Sequence, residues 1–266
     1  MRLRVDGRTV YAYTGARALV PAQPSVVFVH GAANDHSVWS LQSRYFAWHG
    51  YNAIAVDLPA HGRSEGEALA SVRSMADWLA DVMAAAGLAR YALCGHSMGA
   101  LVCLEHAARC ADRVARIALL GAAVPMAVSD ALLDAARRND PAAHAMITAW
   151  SHSPAGQLGG NRLPGVWMAG QTLRLLERTA RDVLHIDLLA CRDYANGLAA
   201  AAAVRCPAHV LVGERDLMAP ARAAVALESA LHDVHRVAIP GAGHAMMAEQ
   251  PDAVLDALRD FLPQRA

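Results

Sequence analysis

The chain has no excess of charge of either sign: Lys plus Arg number 24 and Asp plus Glu number 24 in 266 residues. Without a basic footprint, neither nucleic acid nor an anionic membrane surface is an expected partner; the expected partner is a small molecule. No apolar run is long enough to span a bilayer. At the start, "MRLRVDGRTVYAYTG" interleaves charges with apolar residues where a secretory signal would carry a continuous apolar region. A cytoplasmic location is therefore expected. The five cysteines, Cys94, Cys103, Cys110, Cys191 and Cys206, form no CxxC pair and show no metal-ligand spacing. Reduced thiols are expected, with Cys94 and Cys103 as small buried hydrophobes, and no metal site. Internal repeats and low-complexity tails are missing too. What the chain does have is hydrophobic residues, 55% of the total, enough to bury a full core in one domain or in one domain carrying a sizeable insertion.

The order of patterns gives the architecture. A hairpin signal opens the chain, with Asp6-Gly7 as the turn between "LRV" and the alternating "TVYAYTG". Short apolar runs without alternation follow, ending at His30, Asp57, Gly95 and Ala122, as expected of strands covered on both faces. Between them lie helical patterns; in "SVRSMADWLADVMAAAG" the residues Val72, Met75, Leu79, Val82 and Met83 share a face and Gly87 stops the helix. Such alternation predicts an α/β fold with a parallel sheet and helices on both sides. From about Pro125 to Arg205 the strand signal gives way to alanine-rich helix, broken by "SHSPAGQLGGNRLPG". Strand patterns return in "AHVLVGERD" and "VHRVAIPG", and a last helix opens at Pro251. The expected division is a core of residues 1–122 and 206–266 with a helical cap at 123–205.

The chemistry concentrates in "LCGHSMGA", where Gly95-His96-Ser97-Met98-Gly99 follows a predicted strand and precedes a predicted helix. A G-x-S-x-G in that setting holds its serine on a tight, strained turn clear of the sheet. Serine hydroxyl is a poor nucleophile at neutral pH, so a base and an orienting carboxylate are required. His244, in "GAGH" after the last strand, and Asp216, in "GERD" after the strand before it, supply them. Both lie beyond strand carboxyl ends, in the chain order Ser, Asp, His. His30 and His61 are expected to brace loops instead, and His96 to diverge from its serine neighbour. Glu214 and Asp130 compete for the acid, but Asp130 sits at a helix start in "SDALL". The oxyanion donors are expected to be the backbone N–H groups of Met98 and of Ala32, the latter in "FVHGAAND".

Together "HGAAND", "DLPAHGRS", "GHSMG", "GERD" and "GAGHAMMAEQP" resemble the α/β-hydrolase superfamily, in its capped esterase-like branch, from about Ser25 to the C-terminal helix apart from the cap. The resemblance implies an eight-stranded, mostly parallel sheet, a triad of Ser97, Asp216 and His244, and an acyl-enzyme mechanism without a cofactor. Ser97 at the nucleophile position disfavours the haloalkane dehalogenases and epoxide hydrolases, which use aspartate. Ala245-Met246-Met247 after His244 departs from the tryptophan usual in meta-cleavage carbon-carbon hydrolases.

In the cap, Arg174, Arg178 and Arg181 fall at helical spacing, with Glu177 among them making a solvated face the preferred reading. Trp150, Trp167 and Met168 are candidates for an acyl pocket, with core packing an equal alternative. The Gly/Pro-rich stretch 151–165 is expected to lack regular structure and to gate the serine. The leading expectation is a carboxylic-ester hydrolase acting on small to medium uncharged esters. A lactonase, thioesterase, carbon-carbon hydrolase, acyltransferase or slow-turnover ligand receptor are the alternatives.

Overall fold

The computed structural model describes residues 1–159 and 165–262. Eight strands form one sheet: β1 (Arg2–Val5), β2 (Arg8–Tyr13), β3 (Ser25–Val29), β4 (Asn52–Val56), β5 (Tyr91–His96), β6 (Val114–Leu120), β7 (Ala208–Gly213) and β8 (Val234–Ile239). Their spatial order is β1-β2-β4-β3-β5-β6-β7-β8. β1 pairs antiparallel with β2, and β2 with β4; every other neighbour is parallel. The expected eight-stranded, mostly parallel architecture is present.

The unalternating strand sequences arise because both faces are covered. Val27, Val29, Ile54, Val56, Leu93 and Leu119 face one buried cluster. It includes Met75 and Leu79 of α2 (Val72–Ala85) and Leu101 and Leu104 of α3 (Met98–Arg109). The residues between them in sequence, Val26, Phe28, Ala53, Ala55, Ala92 and Cys94, face a second cluster with Phe46 and Phe261. Period two is therefore present geometrically while hydropathy stays constant. Helix α2 buries Val72, Met75, Leu79, Val82 and Met83, the face read from the sequence. Ser71 caps its start by accepting the Ser74 N–H, and Gly87 ends it at φ +69°.

Helix α1 (Ser40–Trp48) and the last helix cover the second face. Between β6 and β7 lie α4 (Asp130–Arg137), α5 (Pro141–Ser151), α6 (Pro154–Gln157), α7 (Met168–Glu177), α8 (Val183–Arg192) and α9 (Gly197–Ala203). Leu132, Leu133, Ile147, Leu176, Leu184 and Leu188 from α4, α5, α7 and α8 form a third apolar cluster. Helix α9 departs from that grouping. Its Ala200 and Ala201 are buried in the first cluster, against α3, together with Cys191 and Tyr194. A boundary at Arg205 counts α9 with the cap, whereas its alanines give the close approach to α3 that places it in the core. Helices α10 (Val225–Ala230), α11 (Met246–Glu249) and α12 (Pro251–Phe261) complete the chain.

Two further expectations change. The stretch 151–165 was expected to be irregular, yet α5 runs to Ser151, and Ser153 caps α6 by accepting the Gly156 N–H. Residues 160–164 of that stretch lie outside the described residues. Helix α7 ends at Glu177, so Arg174, Arg178 and Arg181 do not share one helix face. No described helix is long and apolar enough to cross a membrane.

Phe28 is fully buried, its ring 5.1 Å from Trp39 and 6.2 Å from Phe46. Phe28→Ala is expected to cost about 3–5 kcal/mol in urea unfolding, and Val225→Ala, at an exposed site, less than about 0.5 kcal/mol.

Candidate active site

Sheet order decides where a site can form. After β3 the chain crosses to β4 on one side, and after β5 it crosses to β6 on the other. The loops leaving these two adjacent strands diverge and open a crevice at their carboxyl ends. "HGAAN" leaves β3 there and Ser97 leaves β5.

Ser97 occupies the single residue between β5 and α3, at φ +53° and ψ −118°. Such left-handed backbone is costly for a residue with a Cβ and is held here by its surroundings. The Ser97 N–H donates to the Leu120 carbonyl at 2.9 Å, and the Ser97 carbonyl accepts from Ala100 at 2.9 Å. The two glycines of the motif allow strand and helix to touch. A Cβ on Gly95 would overlap the Gly99 carbonyl, and one on Gly99 would overlap the carbonyls of Val29 and His30. Among the described residues, no backbone acceptor takes the N–H of Met98 or of Ala32.

Asp216 and His244 are brought together from the ends of β7 and β8. His244 Nδ1 donates to Asp216 Oδ2 at 2.7 Å, and both residues are 4% exposed. Asp216 Oδ1 accepts the N–H groups of Met218 and Ala219, each at 2.8 Å. Burial pushes the Asp216 carboxyl up, but His244 and the two N–H donors outweigh it and hold the group below its ordinary range. It is thus ionised at neutral pH and fixes the imidazole with its proton on Nδ1 and its lone pair on Nε2. Gly121, just past β6, makes room for the pair: a Cβ there would come within 2.9 Å of the His244 ring. Glu214 points elsewhere, accepting the Gly241 N–H at 3.1 Å on the surface. Asp130 opens α4 behind its cap Ser129.

The other histidines divide as expected, with one addition. His30 Nδ1 donates to the Gly31 carbonyl at 2.8 Å and its Nε2 accepts from Leu58 at 3.1 Å. Burial, with His61 nearby, depresses it to about 4. His61 faces acceptors on both ring nitrogens, the Pro59 carbonyl and Asp187 Oδ2, each at 2.9 Å. Burial opposes its charge, but Asp187 raises it above the usual imidazole range. The addition is His96, which does not simply diverge. Its Nε2 donates to the His244 carbonyl at 2.9 Å and its ring lies 4.6 Å from that of His244. Burial, then proximity to His244, depresses it to about 3, so it is neutral.

Ser97, His96, His244, Gly31 and Ala32 line one cavity of about 910 Å³. Leu132, Ile147, Trp150, Met168 and Leu175 from α4, α5 and α7 form its opposite wall. Trp167 is 61% exposed and does not line it among the described residues. Arg174 and Arg178 reach the wall with largely exposed side chains, Arg174 pairing with Glu177 at 2.5 Å and Arg178 lying 3.7 Å from Asp35. Cys94 and Cys103 are buried, and burial pushes both thiols up. Asp35, His36 and Asp57 also cluster, but their atoms are engaged. Asp57 accepts the His36 and Arg63 N–H groups and the His36 ring, and Asp35 caps the turn at Ser37.

Three residues escaped the sequence reading. Glu249 Oε1 accepts the Gly243 N–H at 2.8 Å; its Oε2 accepts the Ser153 N–H at 2.9 Å and the Ser153 hydroxyl, tying the His244 loop to the start of α6. Asp187 and Thr179 reach the loop after β3. The available signal for Asp187 was an acid among leucines, in "HIDLLAC".

A family model described as the alpha/beta hydrolase family matches residues 26–257. Over 91% of this chain and 92% of the relative, the sequence is 27% identical to a protein of Klebsiella pneumoniae subsp. pneumoniae that carries the provisional name carbamate hydrolase RutD. It is likewise 27% identical, over 94% of this chain and 95% of the relative, to 2-succinyl-6-hydroxy-2,4-cyclohexadiene-1-carboxylate synthase of Enterobacter sp. (strain 638). Among solved structures, the enol-lactonase from Burkholderia xenovorans LB400 superposes with a TM-score of 0.86 at 23% identity, over 98% of this chain and 99% of that one. At that identity the likeness is one of fold.

The His244 Nδ1 proton is expected to give a downfield NMR resonance that Asp216→Asn abolishes or moves strongly upfield and Glu214→Gln leaves in place. Retention after Asp216→Asn would show that another group holds the ring.

Proposed function

The chain belongs to the alpha/beta hydrolase family, and we propose that within it the protein is a serine esterase cleaving small to medium uncharged carboxylic esters. In this reading Ser97 Oγ attacks the carbonyl carbon while His244 Nε2 takes the hydroxyl proton. Asp216 holds the imidazole in the productive tautomer and stabilises the imidazolium. The N–H groups of Ala32 and Met98 receive the oxyanion of the tetrahedral intermediate, preorganised because no backbone acceptor among the described residues competes for them. Collapse expels the alcohol with the proton from His244, leaving an acyl-Ser97. A water that gives its proton to His244 then attacks the acyl carbon, and Ser97 recovers its proton as the acid departs.

What supports the reading is that Ser97 and His244, each just past a strand end, line one cavity, while Asp216, past a third strand end, accepts from the His244 ring at 2.7 Å. The apolar character of the opposite wall supports an uncharged acyl or alcohol group. The helices α4, α5, α7 and α8 act as a cap over that group. A lactone or a carbamate presents the same carbonyl, and the names of the similar proteins bring both into the test set.

A fluorophosphonate is expected to label the wild type at Ser97 alone. Ser97→Ala should lower kcat on p-nitrophenyl esters by about 10⁴ to 10⁶ and Asp216→Asn by about 10⁴, while Glu214→Gln changes it little. Labelling that persists in Ser97→Ala would place the nucleophile elsewhere. A single burst of product without turnover would replace the esterase by a slow-turnover receptor.

A further inference from the structure

The loop after β3 is a turn closed by the Asn34 N–H donating to the Gly31 carbonyl at 3.2 Å. Ala33, its third residue, sits at φ +53° although it carries a Cβ and is fully buried. A glycine would adopt that conformation freely; an alanine needs to be held in it. What holds it comes from the helical segment between β6 and β7. Asp187 Oδ2, from the middle of α8, accepts the Ala33 N–H at 2.8 Å. The Thr179 hydroxyl, just after α7, donates to the Ala33 carbonyl at 2.9 Å. The Ala33 methyl packs into the third cluster with residues of α4, α5, α7 and α8. Asp187 is itself fixed by the His61 ring at 2.9 Å. The same carboxylate oxygen thus joins the loop after β3, the loop after β4 and the cap.

We propose that Asp187 and Thr179 are positioning residues for the oxyanion site, holding the peptide groups on either side of Ala33 so that the neighbouring Ala32 N–H is aimed at the reacting carbonyl. The inference rests on the serine-esterase reading above. It makes the cap part of the catalytic machinery and not only the wall of the acyl pocket. The oxyanion donor is a backbone group and cannot be set by its own side chain, so its direction depends on what grips the adjacent peptides. A misplacement of about 1 Å can cost on the order of 10²-fold in rate, and loss of one oxyanion donor about 10² to 10³.

The test compares two inhibitors matched to one p-nitrophenyl ester substrate. An alkylboronic acid forms a tetrahedral adduct on Ser97 and places an oxygen in the oxyanion site; the ether analogue of the ester fills the same pocket without one. In Thr179→Val and Asp187→Ala, kcat/KM and boronate affinity should fall together, by about tenfold and about 10²-fold respectively, with the Ki of the ether unchanged. Asp187→Asn keeps one oxygen at the position that meets both the Ala33 N–H and the His61 ring, and should retain most of both. Should Asp187→Ala fail to fold because the buried His61 ring loses its partner, Thr179→Val and Asp187→Asn decide the matter. Equal weakening of ether and boronate would overturn the proposal, since the pocket as a whole would then have changed. So would unchanged boronate affinity and kcat/KM in Thr179→Val and Asp187→Ala. A wild type that neither hydrolyses the ester nor binds the boronate would instead refute the esterase reading, before any variant is compared.

Discussion

A buried carboxylate is tolerated only when donors meet its charge, and in this chain the 2.7 Å contact between Asp216 and His244 sets that demand. Two backbone N–H groups complete the carboxylate, and the carboxylate fixes the ring. The ring's remaining nitrogen is left to the cavity. The geometry then propagates outward. Gly121 must lack a side chain because the pair fills the space beside it. His96 must be neutral, because its single Nε2 proton goes to the His244 carbonyl, and burial keeps it so. Even the sheet order belongs to this demand, since only neighbouring carboxyl ends bring residues 97, 121, 216 and 244 within reach of one another.

The helical segment between β6 and β7 is bound to the candidate site by the same kind of contact. Two buried carboxylates, Asp187 and Glu249, each accept a backbone N–H from a loop beside Ser97 or His244. Each also ties that helical segment to the rest of the chain. Asp187 reaches from α8 to His61 and Ala33, and Glu249 reaches from α11 to Ser153. A carboxylate bonding backbone N–H groups is a strong, directional contact. It is also one that fails badly when a partner is lost, since the charge then stays buried. This arrangement couples the placement of the helices between β6 and β7 to that of the loops beside Ser97 and His244.

Strands and core helices were legible because each has a local cause. Constant hydropathy over five to seven residues marks a strand covered on both sides, and the spacing of Val72, Met75, Leu79 and Met83 marks a helix face. Ser97, Asp216 and His244 were legible because strain and close approach force glycines around them, in fixed order along the chain. Asp187 and Glu249 were not, since their partners lie 154 and 96 residues away and an acid in a helix ordinarily faces solvent. The same holds for α9, whose alanines read as helix without saying what they pack on. Trp167 read as either a pocket or a core residue and is exposed instead, at the residue before α7.

The central claim is that Ser97 carries the acyl group during turnover. Acid-quenching the wild-type enzyme while it hydrolyses p-nitrophenyl acetate, then mapping the acetylated peptide by mass spectrometry, reads that species directly. The account predicts acetyl on Ser97, accumulating in step with the pre-steady-state release of p-nitrophenol. Acetyl on any other side chain with matching kinetics, such as cavity-lining Cys191, would contradict it.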